Sequence, residues 1–309
     1  MNRLKKYILI LITCISFIIF SGCEEEKIGK VRLTVSKDFF NEIIFDEDVD
    51  LKNDYSIMDI LKEHTEVETS YGGSFVESIN SYKSNFKDEN KDKKRDWFYY
   101  VNGYMADVSC EDYLPKENDH IVFDYHAWSD KSYNNALISS FEKSFKNGYM
   151  DEKIQNEIVY QKEFEEENSE IKKYFNNLDI KSIELNDEEI NILDETKNTI
   201  LISTFDEALK DQKIKDLLKN HAKKGLYFSY ENKKINLFDV DYNITNSYDD
   251  GVIIAFCDKL YPFKSGIFMI LGTDENNIKE NIKLLLEGEF NLNSQVFIGD
   301  KNYNLPIFK

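Results

Sequence analysis

Asn102-Gly103 stands between two aromatic-rich apolar runs, Trp97–Val101 and Tyr104–Ala106, and it constrains the chain more than any other dipeptide in it. Such a pair predicts a β-hairpin, because a type I′ turn needs positive φ at both central residues and Asn and Gly tolerate it. Strand alternation then puts Trp97, Tyr99 and Val101 on one face, and Phe98 and Tyr100 on the other. The surrounding sequence extends this picture. VRLTV at 31–35 alternates as a strand, with a second short strand expected over Glu42–Phe45. Ser56 reads as a helix N-cap ahead of the stripe Ile57, Ile60 and Leu61, and the helix should end near His64. Tyr71-Gly72-Gly73 predicts a turn, Phe75–Ile79 a strand, and the charged stretch 83–96 a loop. After the turn-like Pro115–Asp119, a last strand over Ile121–Trp128 places Asp124, His126 and Trp128 on one face.

The start of the chain imposes a second constraint. Arg3, Lys5 and Lys6 precede the apolar run 7–20, YILILITCISFIIF, and Ser21-Gly22-Cys23 follows. Basic, apolar and small segments in that order form a secretory signal. The run of about 14 residues is short of the roughly 20 that span a bilayer as a helix. Its end, F-S-G-C, resembles the lipobox of bacterial lipoproteins, with Phe20 where that family prefers Leu. The resemblance implies that residues 1–22 are a signal peptide and that Cys23 becomes the acylated N-terminus, palmitate being among its acyl chains. It also implies that the body is held at the extracytoplasmic face of the membrane. The alternative is an uncleaved N-terminal anchor.

Loss of residues 1–22 removes three basic and no acidic residues, so the formal charge moves from −19 to −22. A body this acidic is repelled by nucleic acid and attracts cations or basic partners. Cys14 leaves with the signal. Cys110 and Cys257 are too far apart in sequence to suggest a disulfide framework or a zinc motif, and they read as small buried residues. His126 has no partner at metal-site spacing, nor do His64, His120 and His221, so no metal site is expected. Neither G-x-S-x-G nor H-E-x-x-H occurs, and acidic pairs such as Glu165–Glu167 and Glu188–Glu189 lie in charge runs that read as solvated faces. These signs predict a protein that is not an enzyme.

Past residue 130 the pattern becomes strand and helix in turn: strands at Ile158–Tyr160, Ile180–Leu185, Thr199–Phe205 and Leu226–Tyr230, and helices at Phe164–Phe175 and Asp206–Lys224. Gly251–Cys257 and Gly266–Leu271 are unbroken apolar runs, as strands buried on both faces should be. Alternation of this kind predicts an α/β layer with a mostly parallel sheet over 140–309. Gly272-Thr273-Asp274 opens a final helix but matches neither glycine-rich nucleotide motif, so it reads as a plain cap.

The strings SIMDILK, SYGGSFVESIN, DWFYYVNGY and LPKENDHIVFDY, in that order, resemble the transcobalamin-like C-terminal domain, a family catalogued as a domain of unknown function. The resemblance covers residues 31–130. It implies a β-grasp-like fold, and in the vitamin B12 carriers the equivalent domain covers one face of the corrinoid. The expected fold class is therefore α+β: a β-grasp-like domain at 31–130, then the α/β domain at 140–309. The expected ligand-binding residues are Trp97, Tyr99, His126 and Trp128, which form a flat aromatic platform if they share a face; otherwise the sheet packs aromatics on both sides. The expected function is a membrane-anchored lipoprotein that binds or presents a ligand, with a cobalamin-like cofactor as the ligand and a membrane transporter as the partner. The alternative is a structural or protein-interaction module of the cell envelope without a small ligand.

Overall fold

The computed structural model describes residues 26–73, 75–85, 94–128, 134, 136–150, 152–185, 191–259, 264–287, 296–299 and 301–308. The segment 1–22, Cys23, residues 86–93 of the charged loop and Glu188–Glu189 lie outside the described residues.

The first half opens with the long hairpin of β1 (Lys27–Lys37) and β2 (Glu42–Lys52). Helix α1 (Ile57–His64) follows. Ser56 accepts a hydrogen bond from the Asp59 N–H while the Asp59 carboxylate accepts one from the Ser56 N–H, a reciprocal cap that fixes where the helix starts. Three short strands, β3 (Val67–Ser70), β4 (Phe75–Ile79) and β5 (Tyr82–Lys83), pair antiparallel in a small sheet. Strands β6 (Arg95–Val101), β7 (Tyr104–Met105) and β8 (His120–Ala127) complete the main sheet, whose order is β2-β1-β8-β6-β7. Asn102 and Gly103 carry φ of 52° and 87° between β6 and β7, the positive pair that the type I′ turn requires. Strand β8 runs parallel to β1 and antiparallel to β6, so it occupies the middle of a mixed sheet.

The second half contains α2 (Phe141–Lys146), β9 (Gln155–Tyr160), α3 (Glu165–Tyr174), β10 (Ile180–Glu184), β11 (Lys197–Thr204), α4 (Phe205–Ala208) and α5 (Gln212–Lys219). An antiparallel meander comes next, β12 (Phe228–Glu231), β13 (Lys234–Phe238) and β14 (Ile244–Tyr248). The chain closes with β15 (Val252–Asp258), β16 (Gly266–Gly272), α6 (Glu275–Glu287), β17 (Val296–Ile298) and β18 (Lys301–Tyr303). The large sheet has the order β10-β9-β11-β16-β15-β17-β18.

This architecture corrects the expected fold class, a β-grasp-like domain followed by an α/β layer with a mostly parallel sheet. Among the described residues strand makes up 44% against 24% helix, so the described fold is mostly β. In the large sheet β10, β9, β11 and β16 are parallel neighbours, but β16–β15, β15–β17 and β17–β18 are antiparallel. The reason lies in the connections. Asp258 to Gly266 is too short a link to carry a crossover, which takes a dozen or more residues, so the two apolar runs form a hairpin.

The halves pack against each other. The Tyr104 hydroxyl donates to Asn198 at 2.7 Å, and its ring lies 5.7 Å from that of Phe256. The Leu137 N–H donates to the Gly103 carbonyl at 2.8 Å, and the Asn102 amide donates to the Gly148 carbonyl at 2.8 Å. One apolar cluster joins the α1 face of the first sheet to Ile158, Ile200, Ile254 and Phe268. The other joins Phe39, Phe40, Tyr100 and Val122 to Val159, Leu201, Ile253 and Tyr227.

Candidate functional site

The register of β6 against β8 decides where the candidate platform residues go. Trp97 pairs with Tyr125 and Tyr99 with Phe123, whereas Asp96 pairs with His126 and Phe98 with Asp124. Directly paired residues point to the same side of a sheet. Trp97 and Tyr99 therefore occupy one face, and His126 and Trp128 project to the other. The four do not form one surface.

Trp97 and Tyr99 pack in the cluster that also holds Ile57 and Leu61 of α1. The Trp97 indole N–H donates to the Tyr82 carbonyl at 2.8 Å, and its ring lies 5.1 Å from Tyr125. Tyr99 stacks on Phe123 with centroids 5.5 Å apart, and its hydroxyl donates to the Val108 carbonyl. Burial drives the Tyr99 phenol pKa upward.

The opposite face carries an unusual amount of buried polarity, and Asp124 is its centre. Asp124 is fully buried. Its Oδ1 accepts from His126 Nδ1 at 2.7 Å and from the Phe39 N–H at 3.1 Å, while Oδ2 accepts from the Ser36 hydroxyl at 2.6 Å and the Phe40 N–H at 3.3 Å. Four donors fill the four lone-pair positions of an ionised carboxylate. Burial pushes the Asp124 pKa up, but the bonds from His126, Ser36 and Phe39 outweigh it, and the net shift is downward. With an acceptor-only carboxylate opposite, His126 Nδ1 must carry a proton.

His126 is 3% exposed and lies between two rings. Phe39 stacks on one side at 4.2 Å and Phe98 on the other at 4.4 Å. Phe39 reaches this place through the turn joining β1 and β2, where Asp38, Phe39 and Phe40 all adopt left-handed φ, 53°, 58° and 68°. A left-handed backbone costs an L-residue roughly 1–2 kcal/mol, so three in succession persist only if the surroundings over-determine them. Asp124 supplies much of that by taking two of the turn's N–H groups. The Asp38 N–H donates to the Tyr125 carbonyl at 3.1 Å, and its carboxylate pairs with Arg95. The Phe39 ring is also 5.7 Å from Tyr227 and 6.5 Å from Phe308 of the second half. Beside it Phe40, Leu137, Ile138, Tyr227 and Leu305 leave a space of about 10 Å³, room for one water molecule.

Trp128 is half-buried at the end of the same face. Its indole N–H donates to Asp96 Oδ2 at 2.5 Å, and the Lys94 ammonium sits 4.7 Å over its ring. Burial raises the Asp96 pKa, against the pull of Trp128 and of a Ser84 hydroxyl that lies near without closing a hydrogen bond. Among the described residues no group of three or more His, Cys, Asp and Glu side chains is arranged to hold a metal ion.

Sequence alternation grouped Asp124, His126 and Trp128 correctly but missed Ser36, Phe39, Phe40, Asp96 and Phe98. Polar residues at alternate positions of two strands, Thr34 and Ser36 on β1 and Asp124 and His126 on β8, were the available signal, and Ser36 pairs with Asp124. Lys259 was missed too. It is 2% exposed, and its ammonium donates to the Asp194 and Lys197 carbonyls at 3.2 and 2.8 Å and to the Thr199 hydroxyl at 2.6 Å. Burial lowers its pKa to about 8.

A family model described as Domain of unknown function (DUF4430) matches residues 54–127. That stretch holds α1, the hairpin turn, Asp96, Asp124 and His126. No curated protein matches the chain. Solved structures that align with part of the chain include the following two. Haptocorrin in complex with Cbi aligns at 13% identity and a TM-score of 0.26, covering 31% of this chain. A protein from Ruminococcus gnavus ATCC 29149, provisionally designated metal-binding, aligns at 11% identity and a TM-score of 0.24, over 31% of this chain and 95% of its own. The chain spans about a quarter of haptocorrin's length, 24%.

Proposed function

We propose that the chain is a non-catalytic binding lipoprotein, anchored through Cys23 at the extracytoplasmic face of the membrane, that takes a ligand at the junction of its halves beside Phe39. The observation that carries this reading is the left-handed Asp38-Phe39-Phe40 turn, which drives an aromatic ring between His126 and Tyr227. Backbone held this far from its preferred conformation concentrates at ligand clamps and switch regions. The titratable groups there are committed to one another, Asp124 to four donors, which favours a binding role over catalysis. A cobalamin-like cofactor handed to a membrane transporter is the finer reading, and it rests on the sequence resemblance, so corrinoids head the list of probes. A second reading, a protein-interaction module of the envelope, is favoured by the small space beside Phe39, which admits about one water.

A thermal-shift screen of the mature protein against corrinoids, haem and oligosaccharides separates the two. A ligand at about 100 times its Kd stabilises the folded state by about 2.7 kcal/mol. The first reading expects a shift for one ligand class that Phe39→Ala alters. No shift in either the parent or the variant would leave the interaction module. Anchoring is decided by mass spectrometry of the membrane fraction. Acylated Cys23 is expected and Cys23→Ser should abolish it, whereas an intact segment 1–22 on the mature protein refutes the anchor.

A further inference from the structure

Four exposed apolar side chains, Ile28, Tyr71, Leu114 and Met150, belong to the stretch 109–118 of the loop that joins β7 to β8 or to segments that touch it. They are 50%, 71%, 53% and 49% exposed. Scattered apolar residues are ordinary on a protein surface, so it is their common location that matters. Leu114 belongs to the loop itself. Met150 is tied to it, its N–H donating to the Tyr113 hydroxyl at 3.0 Å. Ile28 is next to Gly29, whose Cα lies against the Glu117 side chain, and the Asn118 N–H donates to the Lys30 carbonyl at 2.7 Å. Tyr71 opens the turn whose Gly73 packs against Glu111. The same loop abuts the start of α1 through the Tyr113 and Cys110 carbonyls, which accept from the Ile57 and Met58 N–H groups. The Lys30 and Lys116 side chains are exposed beside these residues.

We infer that this end of the first half is a membrane-facing surface, and that Ile28, Leu114 and Met150 insert into the interfacial layer of the bilayer. The inference rests on the anchored reading above and deepens it. Its occupant is fixed by the tether. From Cys23 to Ile28 is five residues, a reach of about 18 Å at most when extended. An acyl chain on Cys23 therefore holds Ile28 within that distance of the lipid, and the loop that touches Gly29 and Lys30 comes with it. Apolar side chains at the interface of acyl chains and headgroups bury themselves there and add to the hold of a lipid anchor, which is weak when single. The docked surface fixes the orientation of the body, with the first half against the lipid.

The test uses the mature chain, residues 23–309, coupled through Cys23 to a maleimide lipid in phosphatidylcholine vesicles. The other two thiols do not compete. Cys110 and Cys257 are buried, and burial pushes their pKa values up to about 11 and about 12. The readout is the rate of Met150 oxidation by hydrogen peroxide, followed by mass spectrometry, against the same protein with Cys23 capped and free in solution. Oxidation follows exposure, so Met150 should oxidise about five-fold or more slowly on the vesicle. Leu114→Asp, at an exposed position where the fold should tolerate it, should restore the solution rate on the vesicle. Equal rates with and without lipid, or protection that Leu114→Asp leaves intact, would overturn the membrane-facing surface. Because the lipid is attached chemically, either result stands apart from whether the cell acylates Cys23, which the mass spectrum of the native protein decides.

Discussion

Replacing Asp124 with alanine tests the buried network at its centre. The substitution removes the acceptor of the Phe39 and Phe40 N–H groups, the Ser36 hydroxyl and His126 Nδ1. A buried donor left without a partner costs about 1–3 kcal/mol, and the Phe39 and Phe40 N–H groups and the His126 Nδ1–H are three such donors. The Ser36 hydroxyl can rotate towards another acceptor, but the two backbone N–H groups are fixed by the turn. The expected loss is therefore about 3–5 kcal/mol, measured as the change in unfolding free energy from urea titration of the mature protein. Asp124→Asn keeps one oxygen but sets an NH₂ against donors, and should fall between the parent and the alanine variant. The pH dependence has a defined sign. The folded carboxyl lies below the ordinary value of 3.8, so between the folded and unfolded values the unfolded chain binds more protons. The stability contributed by Asp124 is complete above about pH 4 and is lost as pH falls through the folded value. Asp124→Ala should lack that part of the acid destabilisation. A loss below about 1 kcal/mol, with an acid limb like the parent's, would refute the claim that Asp124 holds the turn.

The remaining expectations are also measurable. Trp97→Ala should lower the urea midpoint by the equivalent of about 3–5 kcal/mol, as for a core aromatic, and Trp128→Ala by about 1–3 kcal/mol, mainly the lost bond to Asp96; the reverse order would contradict the assigned faces. Lys259→Met removes the donor to the Asp194 and Lys197 carbonyls and to the Thr199 hydroxyl and should cost about 1–3 kcal/mol by urea titration. Because burial lowers the Lys259 pKa from its ordinary 10.5 to about 8, the unfolded chain binds more protons between those values. Parental stability should therefore gain a rising contribution over that window that Lys259→Met lacks. Gly103→Val places a β-branched residue at φ 87° with its Cβ 2.9 Å from the Ser144 hydroxyl, and calorimetry should show a loss of at least about 1–2 kcal/mol.

Local chemistry was legible in the sequence where a residue type fixes a backbone conformation. Asn102-Gly103 gave its turn, and Ser56 gave its helix start. Alternation separated Trp97 and Tyr99 from Phe98 and Tyr100. What it left open was the relation to the pair on β8, since a one-residue slip of β6 against β8 would exchange the faces. That register was invisible because no turn joins the two strands directly. The left-handed turn at 38–40 was hidden for another reason: it has neither glycine nor asparagine, and its conformation is imposed by Asp124. The direction of β15 and β16 was the avoidable error. Their apolar runs spoke for burial on both faces, and the short Asp258–Gly266 link already spoke for a hairpin.

The separation of 85 residues between Phe39 and Asp124 has a consequence for how the chain acquires its structure. The β1–β2 hairpin is local, yet its turn is disfavoured by about 3–6 kcal/mol until a carboxylate from β8 arrives. A hairpin alone is marginal in water even with a good turn. Strand β1 also waits for β8 as its parallel neighbour, with α1 and the small sheet in between. The first strand made is thus among the last to be secured, and the nascent chain must stay open until β8 has emerged. Amide exchange of those β2 N–H groups that bond to β1 should then occur mainly through global unfolding rather than by fraying from the free side of the strand.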